Sequence, residues 1–189
     1  MYSGGYGYFD SILPRFGQTA SYCNLFNQYW QLIGLDSGYE DFGLMDPQRD
    51  WLAIQLQQPT RKSILMSHHQ LFSPYEDRAQ NRTLARKVKP LLPRVYAWFW
   101  GHEHRCIIMR DLWGIKPRCV GHGAIPTPVP FGVPKYADIP IDKVDERSAP
   151  PPDGGEIHGF ALLRFAGKQI DVSYIDEFGA TFYNEKFVA

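Results

Sequence analysis

The sequence lacks an excess of charge of either sign and any apolar run of membrane-spanning length. Its 20 Lys and Arg residues balance its 20 Asp and Glu residues. Because nucleic-acid-binding proteins usually carry a basic excess, we expect no nucleic acid partner. No stretch approaches the roughly 18 consecutive apolar residues of a transmembrane helix, and residues 1–8 contain neither the basic nor the apolar region of a secretory signal. These absences predict a soluble, cytoplasmic protein with no membrane partner.

Cysteine is also scarce. The chain contains Cys23, Cys106 and Cys119, and no two of them are spaced as Cys-x-x-Cys. An odd number without that spacing argues against a disulfide framework and against a structural zinc site, so we expect reduced and mostly buried thiols. The 44% of hydrophobic residues is typical of a globular protein, and we expect residues 1–189 to form a single domain.

Buried strands and amphipathic helices alternate in the first two thirds of the chain. One helix is expected to begin with Asp46 as its N-cap and Pro47 at its first position, and to end before Pro59. A second helix is expected over Asn81–Lys89. The alternation predicts a layered α/β fold. The apolar runs predicted to be strands are Tyr29–Leu35, Ser63–Met66, Val95–Trp100, Cys106–Met109 and Arg118–Val120.

Proline changes the pattern after residue 120. Eight of the fifteen prolines fall between Pro126 and Pro152, and we expect an irregular, proline-rich loop over 123–157 that covers part of the domain. Three further strands are predicted beyond it, separated by glycine-containing turns, and they form a C-terminal meander. They are Phe160–Phe165, Ile170–Tyr174 and Thr181–Phe187.

Four of the six histidines follow two of the predicted strands. His68 and His69 come after the strand Ser63–Met66, and the other two, His102 and His104, come after the next predicted strand. Ligands of open α/β sheets bind at the carboxyl ends of strands, and neutral imidazole is a good ligand for zinc, iron or manganese. The placement therefore predicts a metal site. Unrelated loop histidines are the alternative interpretation.

Glu103 separates the last two of these histidines. In an extended backbone, residues i and i+2 point to the same side, so His102 and His104 are expected to chelate one ion or to reach two ions about 4 Å apart. Gly101 has no side chain and is expected to let the backbone approach the ions.

Both histidine segments resemble a known family. Ile64–Ser73 (ILMSHHQLFS) and Trp98–His104 (WFWGHEH) are similar to the last two signature blocks of the calcineurin-like metallophosphoesterases. The resemblance extends from about Trp30 to Tyr174. It implies an α/β fold with a metallophosphoesterase-type two-sheet β-sandwich flanked by helices, of which this chain carries the C-terminal part. It also implies hydrolysis of phosphate mono- or diesters by a dinuclear metal site.

The resemblance assigns roles to the histidines. His68 and His102 would bind one ion and His104 would bind the other, while His69 would either face the substrate phosphate or simply pack. The two ions would be divalent or trivalent, with Mn, Fe or Zn as the candidates. The substrate would be a small-molecule phosphoester or a phosphoprotein. Gln70 stands where many relatives have proline, which concerns the shape of the loop.

Three upstream blocks of the family do not occur in this sequence: Asp-x-His, Gly-Asp-x-x-Asp and Gly-Asn-His followed by Asp or Glu. In the family they supply the bridging carboxylate, further ligands and commonly the His that protonates the leaving group, so no catalytic acid is assigned here. We expect that the sequence begins just downstream of a missing half and that three histidines are too few for two ions. The chain alone is then expected to be inactive. The alternative is a catalytically incompetent structural or interaction module, or a weak binder of a single metal ion.

The remaining polar candidates have plainer interpretations. Asp36 is expected to close a strand-end turn and Asp46 to cap a helix, rather than to replace the missing ligands. His122 is expected to lie in a structural turn, and His158 is expected to lie on the surface.

Overall fold

A computed structural model describes residues 6–38, 43–76, 81–150 and 154–189. The first five residues, which bear on the expectation of a missing upstream half, lie outside these ranges. So do residues 151–153 of the proline-rich loop. Within the described ranges the chain forms a mixed α/β fold, with one seven-stranded sheet, one three-stranded sheet and a few short helices.

The seven-stranded sheet has the order β1-β2-β3-β4-β6-β5-β7. Strands β2, β3, β4 and β6 are parallel to one another, and the remaining three pair antiparallel. Its central strands are apolar and buried, as expected for strands covered on both faces. The strands are β1 (Cys23–Phe26), β2 (Trp30–Gly34), β3 (Lys62–Ser67), β4 (Val95–Trp100), β5 (Cys106–Met109), β6 (Lys116–Val120) and β7 (Ile141–Val144).

The three-stranded sheet is the predicted C-terminal meander. It contains β8 (Gly159–Ala166), β9 (Gln169–Asp176) and β10 (Thr181–Val188), all antiparallel, in the order β10-β9-β8. Residues along β9 alternate between buried and half-buried positions, so one face of this sheet is directed into the core.

The two predicted helices lie close to their predicted positions, with one correction, and further helical turns precede them. A π-helical segment, Gly7–Ile12, leads into α1 (Leu13–Arg15), and both were missed in the sequence. Helix α2 (Gln48–Gln55) begins after a turn in which the Gln48 amide donates to the carbonyl of Met45. The helix therefore takes Pro47 as its N-cap, and the prediction of Asp46 as the cap is wrong.

The second predicted helix is present. Helix α3 (Arg82–Val88) is capped by Asn81, whose side chain accepts a hydrogen bond from the amide of Leu84. A 3-10 helix, Lys89–Arg94, continues it to the start of β4. The predicted end of the α-helix near Lys89 is confirmed.

The large sheet has a core on each face. One core contains Ile33, Leu65 and Trp98 from the strands, together with the apolar sides of α2 and α3. The other contains side chains of both sheets, including Trp30 and Phe187. The two sheets are therefore packed face to face, with helices on the outer face of the large one. Among the described residues, no helix is both long enough and apolar enough to cross a membrane.

The proline-rich loop is mostly irregular, as predicted, but it contains β7. This strand pairs antiparallel with β5, with Ile107 opposite Val144. The sequence did not reveal β7 because a four-residue run between prolines has too little periodicity, and its pairing partner lies more than 30 positions away. The loop is thus joined to the sheet edge through strand hydrogen bonds.

Candidate metal centre

The histidine pairs lie at the same edge of the large sheet. Strand β3 ends at Ser67 and β4 ends at Trp100, and the two strands are parallel neighbours. Their carboxyl ends therefore meet at one edge. The backbone joins the two loops directly, because the amide of Gly101 donates to the carbonyl of His68 at 3.0 Å. The two histidine segments therefore lie side by side.

Three imidazoles form one compact group. One ligand atom from each of His68, His69 and His102 lies within 4.8 Å of the corresponding atoms of the other two. Nδ1 of His102 lies 3.2 Å from Nε2 of His68. The ring centroid of His69 is 4.7 Å from the centroids of both other rings. Among the described residues, this is the one group of three or more possible ligands with that spacing.

The position of His69 is fixed by hydrogen bonds to neighbouring residues. Its Nδ1 lies 2.8 Å from Oγ of Ser37, which follows β2, and its backbone amide donates to the same oxygen at 3.1 Å. Its carbonyl accepts a hydrogen bond from Ser67, whose Oγ also accepts from the indole of Trp98 at 2.9 Å. A partner on one ring nitrogen fixes the orientation of the other. Ser37 thus contributes to the site, although a serine in a strand-end turn carries no ligand-type signal that sequence reasoning could have used.

The backbone at His102 differs from the extended geometry expected from the sequence. Strand β4 has already ended, and His102 has a φ of 58°, in the left-handed region. The amide of Glu103 donates to the carbonyl of Gly101 at 2.7 Å, and the amide of Arg105 donates to the carbonyl of Glu103 at 2.8 Å. The i, i+2 rule for strands therefore does not apply here. His104 lies outside the compact group.

His104 is nevertheless anchored next to the site. Its carbonyl accepts a hydrogen bond from Oγ1 of Thr127 at 2.9 Å, which ties it to the proline-rich loop. The pKa values of His68 and His102 both respond to its charge, so its ring is close enough to interact electrostatically with the group. Its role as a ligand of a second ion stays a prediction.

Residues 101–105 form the turn that carries His102 and His104, which we call the histidine turn. The glycine that this turn requires is Gly121, not Gly101. A Cβ atom on Gly101 would meet the carbonyl oxygen of His68 at 3.7 Å, which is ordinary contact. A Cβ atom on Gly121 would lie 1.9 Å from the carbonyl oxygen of Glu103. Gly121 directly follows β6, so the end of that strand supports the histidine turn through close backbone contact.

The electrostatics keep the three imidazoles neutral at pH 7. Burial, followed by the positive charge of His102 and His104, lowers the pKa of His68. Burial and the neighbouring charges of His102 and His68 lower the pKa of His69 to about 4. Burial also lowers the pKa of His102. Because metal ions bind neutral imidazole, the group is in its ligand form at neutral pH.

A buried ion pair lies behind the histidine turn. The side chain of Glu103 is 1% exposed, and its Oε1 accepts from Nη1 of Arg105 at 2.9 Å. Burial raises the pKa of Glu103, while hydrogen bonds from Ser73 and Arg105 oppose that shift. The guanidinium of Arg105 lies 4.5 Å from the ring centroid of Tyr75 and 4.8 Å from that of Phe131. Sequence reasoning saw Glu103 only as a spacer.

Two of the other candidates, Asp36 and His122, lie where their plainer interpretations place them. Asp36 accepts hydrogen bonds from Ser21 and from the amide of Gly38, which confirms the strand-end turn. His122 is 3% exposed and lies in a turn after β6, and burial lowers its pKa to about 4. His158 is half-buried rather than exposed. All three cysteines are free thiols, and Cys106 and Cys119 are buried, as expected.

The fold resembles that of a solved structure, but sequence comparison assigns the chain to no known family. No protein-family model matches the chain, and no curated protein matches it by sequence. It aligns with GAP50, the anchor in the inner membrane complex of Plasmodium, at a TM-score of 0.67 and 14% identity. The alignment covers 90% of this chain and 55% of that one, so this chain spans about half the length of GAP50. At that identity the likeness concerns the fold alone.

A second solved structure is a single mutant of Vps29 from Entamoeba histolytica. It aligns over 84% of this chain and 98% of its own length, at 9% identity and a TM-score of 0.30. A score of that size supports no conclusion about fold or function.

Proposed function

We propose that this chain carries part of the active site of a metal-dependent phosphoesterase. The single observation that supports this most strongly is the group of His68, His69 and His102 at the carboxyl ends of adjacent parallel strands. The residues of the two segments, ILMSHHQLFS and WFWGHEH, favour the calcineurin-like metallophosphoesterases within that broad class. The two-sheet arrangement is compatible with that family without being specific to it.

The donor set fits one metal ion. Tetrahedral zinc with Zn–N distances of about 2.0–2.1 Å places its ligand atoms roughly 3.4 Å apart, and the three imidazole atoms lie within 4.8 Å of one another. Small side-chain rotations would bring the imidazole nitrogens from their present separations to those of a tetrahedral site. We therefore propose that His68, His69 and His102 hold one ion, in place of the substrate-facing role that the sequence suggested for His69. When bound, such ions supply positive charge that stabilises the oxygens of a phosphate ester.

The donor set does not fit two ions. Catalytic sites usually provide about three protein ligands per ion, and His104 is the remaining histidine next to the group. We propose that His104 binds a second ion together with carboxylates of the kind that the family's Asp-x-His and Gly-Asp-x-x-Asp blocks supply. Mn, Fe and Zn are the candidate metals, and a small-molecule phosphoester or a phosphoprotein is the candidate substrate. The chain by itself should then bind one ion and hydrolyse phosphate esters only slowly.

A second candidate function is non-catalytic binding of a single metal ion in an interaction module. One observation favours it: three neutral imidazoles suffice to hold one ion. Hydrolysis separates the two functions. Only the phosphoesterase should gain activity in a protein that also carries the family's Asp-x-His, Gly-Asp-x-x-Asp and Gly-Asn-His blocks.

The first prediction concerns the 189-residue chain and Zn²⁺. Isothermal titration at about pH 7.5 should show one ion per chain. Replacing His68, His69 or His102 with Ala should weaken binding by more than about 10-fold, since losing a ligand costs more than losing an outer-shell partner. His104→Ala should change the affinity less than about 3-fold. It is the matched control because it removes a histidine from the same turn.

Hydrolysis of p-nitrophenyl phosphate and its bis ester is measured alongside. The chain should show no turnover near about 1 per second, a typical enzymatic rate. Turnover of that size that is lost in His102→Ala would reveal a complete site and contradict the partial-site proposal. Equal Zn²⁺ affinity in all four variants would reject the metal centre itself.

A further inference from the structure

Arg105 is enclosed on several sides by groups from separate parts of the chain. Tyr75 lies on the loop after β3, and its ring centroid is 4.5 Å from the guanidinium carbon. Phe131 lies on the proline-rich loop, and its ring centroid is 4.8 Å from the same carbon. Nη1 of Arg105 donates to the buried carboxylate of Glu103 at 2.9 Å. We call these four side chains the arginine clamp.

Two members of the arginine clamp, Glu103 and Arg105, belong to the histidine turn. Glu103 stands between His102 and His104, and its buried side chain is 1% exposed. The turn is also fixed through its backbone, because the amide of Gly121 donates to the carbonyl of Arg105 at 2.9 Å. Glu103 is buried and Arg105 is half-buried, whereas His102 is exposed and His104 is half-buried. The imidazoles of His102 and His104 thus share one short turn with two members of the clamp.

The proline-rich loop closes the clamp from outside. The amide of Phe131 donates to Glu146 at 3.1 Å, and the amide of Lys135 donates to the carbonyl of Pro74 at 2.8 Å. The ring of Phe131 packs edge-on against Tyr75, with centroids 6.1 Å apart. These contacts hold Phe131 over the guanidinium. The hydrogen bond from the loop to the carbonyl of His104 is a second link between the loop and the turn.

We propose that the proline-rich loop positions His102 and His104 through the arginine clamp, with Arg105 and Phe131 as positioning residues. This inference rests on the proposed metal site, which it deepens. A planar guanidinium in contact with two rings combines cation–π attraction with a directed bond to a carboxylate, and an ammonium group cannot replace it. Outer-shell partners of this kind typically change metal affinity by about 10–100-fold when they are lost.

The test uses paired variants of the full 189-residue chain. Phe131→Leu removes the ring, whereas Phe131→Tyr keeps it. Arg105→Lys keeps the charge but loses the planar group. Glu185→Gln is the matched control, because it neutralises the carboxylate of another buried Arg–Glu pair, Arg118–Glu185. We expect Phe131→Leu and Arg105→Lys to weaken Zn²⁺ binding by at least about 10-fold. Phe131→Tyr and Glu185→Gln should bind like the parent chain.

Two spectroscopic readouts separate positioning from general destabilisation. The visible spectrum of bound Co²⁺ should shift in Phe131→Leu and Arg105→Lys, because the ligand geometry changes. Without any metal, the imidazole NMR signals of His102 and His104 should shift in the same two variants, while those of His122 should not. Unchanged imidazole signals in both variants would overturn the inference.

The outcomes also separate this inference from the proposed function. If the parent chain binds no Zn²⁺ or Co²⁺, the metal-site proposal fails, and the metal-free imidazole signals still decide whether the clamp positions the histidines. If the parent chain binds metal and both variants bind it equally well with unchanged spectra, the metal site stands and the clamp is rejected.

Discussion

Glu156 carries a carboxyl group that its surroundings keep protonated. It is 1% exposed, and its Oε1 accepts a hydrogen bond from the amide of Cys106 at 3.2 Å. Burial raises its pKa to about 8, with a further contribution from Asp145, although the bond from Cys106 and the charge of Arg105 oppose the shift. In the unfolded chain the same carboxyl has an ordinary pKa of about 4.5. The folded state therefore binds more protons between these two values.

The second prediction follows from that difference. Because the folded state holds the extra proton, the free energy of unfolding should fall as the pH rises from about 4.5 to about 8. Glu156→Gln keeps the acceptor for Cys106 but cannot ionise. At pH 7 it should be more stable than the parent chain by about 3 kcal/mol, from about 1.36 kcal/mol per pKa unit. Urea unfolding at about pH 5 and pH 7 measures this, and equal gains at both values would contradict it.

At the scale of elements, the shape of the histidine turn depends on the contact between two strand ends. The histidine turn follows β4, Gly121 follows β6, and these strands are parallel neighbours. The carbonyl of Glu103 occupies the space that a Cβ atom on Gly121 would need. Cys119 at the end of β6 also directs its thiol to the carbonyls of Glu103 and Arg105. The turn is thus shaped by the next strand along the sheet.

The third prediction tests this contact. Gly121→Ala should destabilise the fold by about 3 kcal/mol, since the added methyl group meets backbone that cannot move aside cheaply. It should also weaken Zn²⁺ binding. The matched control is Gly123→Ala, whose Cβ would meet the nearest atom, the carbonyl oxygen of Gly159, at 3.8 Å. That variant should change stability by less than about 0.5 kcal/mol. Similar unfolding midpoints for the two variants would show that the turn has room.

At the scale of the whole molecule, an ion pair links the two sheets. Arg118 on β6 makes two hydrogen bonds with Glu185 on β10, at 2.7 and 2.6 Å. The hydroxyl of Tyr174 on β9 donates to the same carboxylate at 2.7 Å. The side chains of Arg118 and Glu185 are 5% and 11% exposed. The pair lies within an otherwise apolar interface, so each charge depends on its partner.

The fourth prediction concerns this inter-sheet pair. Glu185→Ala leaves the guanidinium of Arg118 buried without its carboxylate, which should cost about 3–5 kcal/mol of the free energy of unfolding. Asp111→Ala breaks the pair with Lys116, 3.0 Å apart and more exposed, and should cost less than about 1 kcal/mol. Chemical denaturation compares the two. Equal costs would show that water reaches the inter-sheet pair.

The strands were largely predictable because their signal is local. Val95–Trp100 and Cys106–Met109 have the predicted bounds, since an unbroken apolar run requires burial whatever its partner is. Strand β1 was missed because its sequence, Cys23–Phe26, is short and half exposed. It is stabilised by pairing with β2, and a pairing partner cannot be recognised from the sequence of a four-residue segment.

The sequence by itself determined that His68, His69 and His102 follow two buried strands. Parallel neighbours end at the same edge, so this local pattern sufficed to bring the segments together. Only the tertiary structure decided that His69 joins the group and His104 does not. Side-chain direction at that edge depends on the left-handed backbone of His102. The turn at His102 is in close backbone contact with Gly121, and the contacts around Arg105 join residues far apart in the chain. Such contacts produce no local sequence pattern.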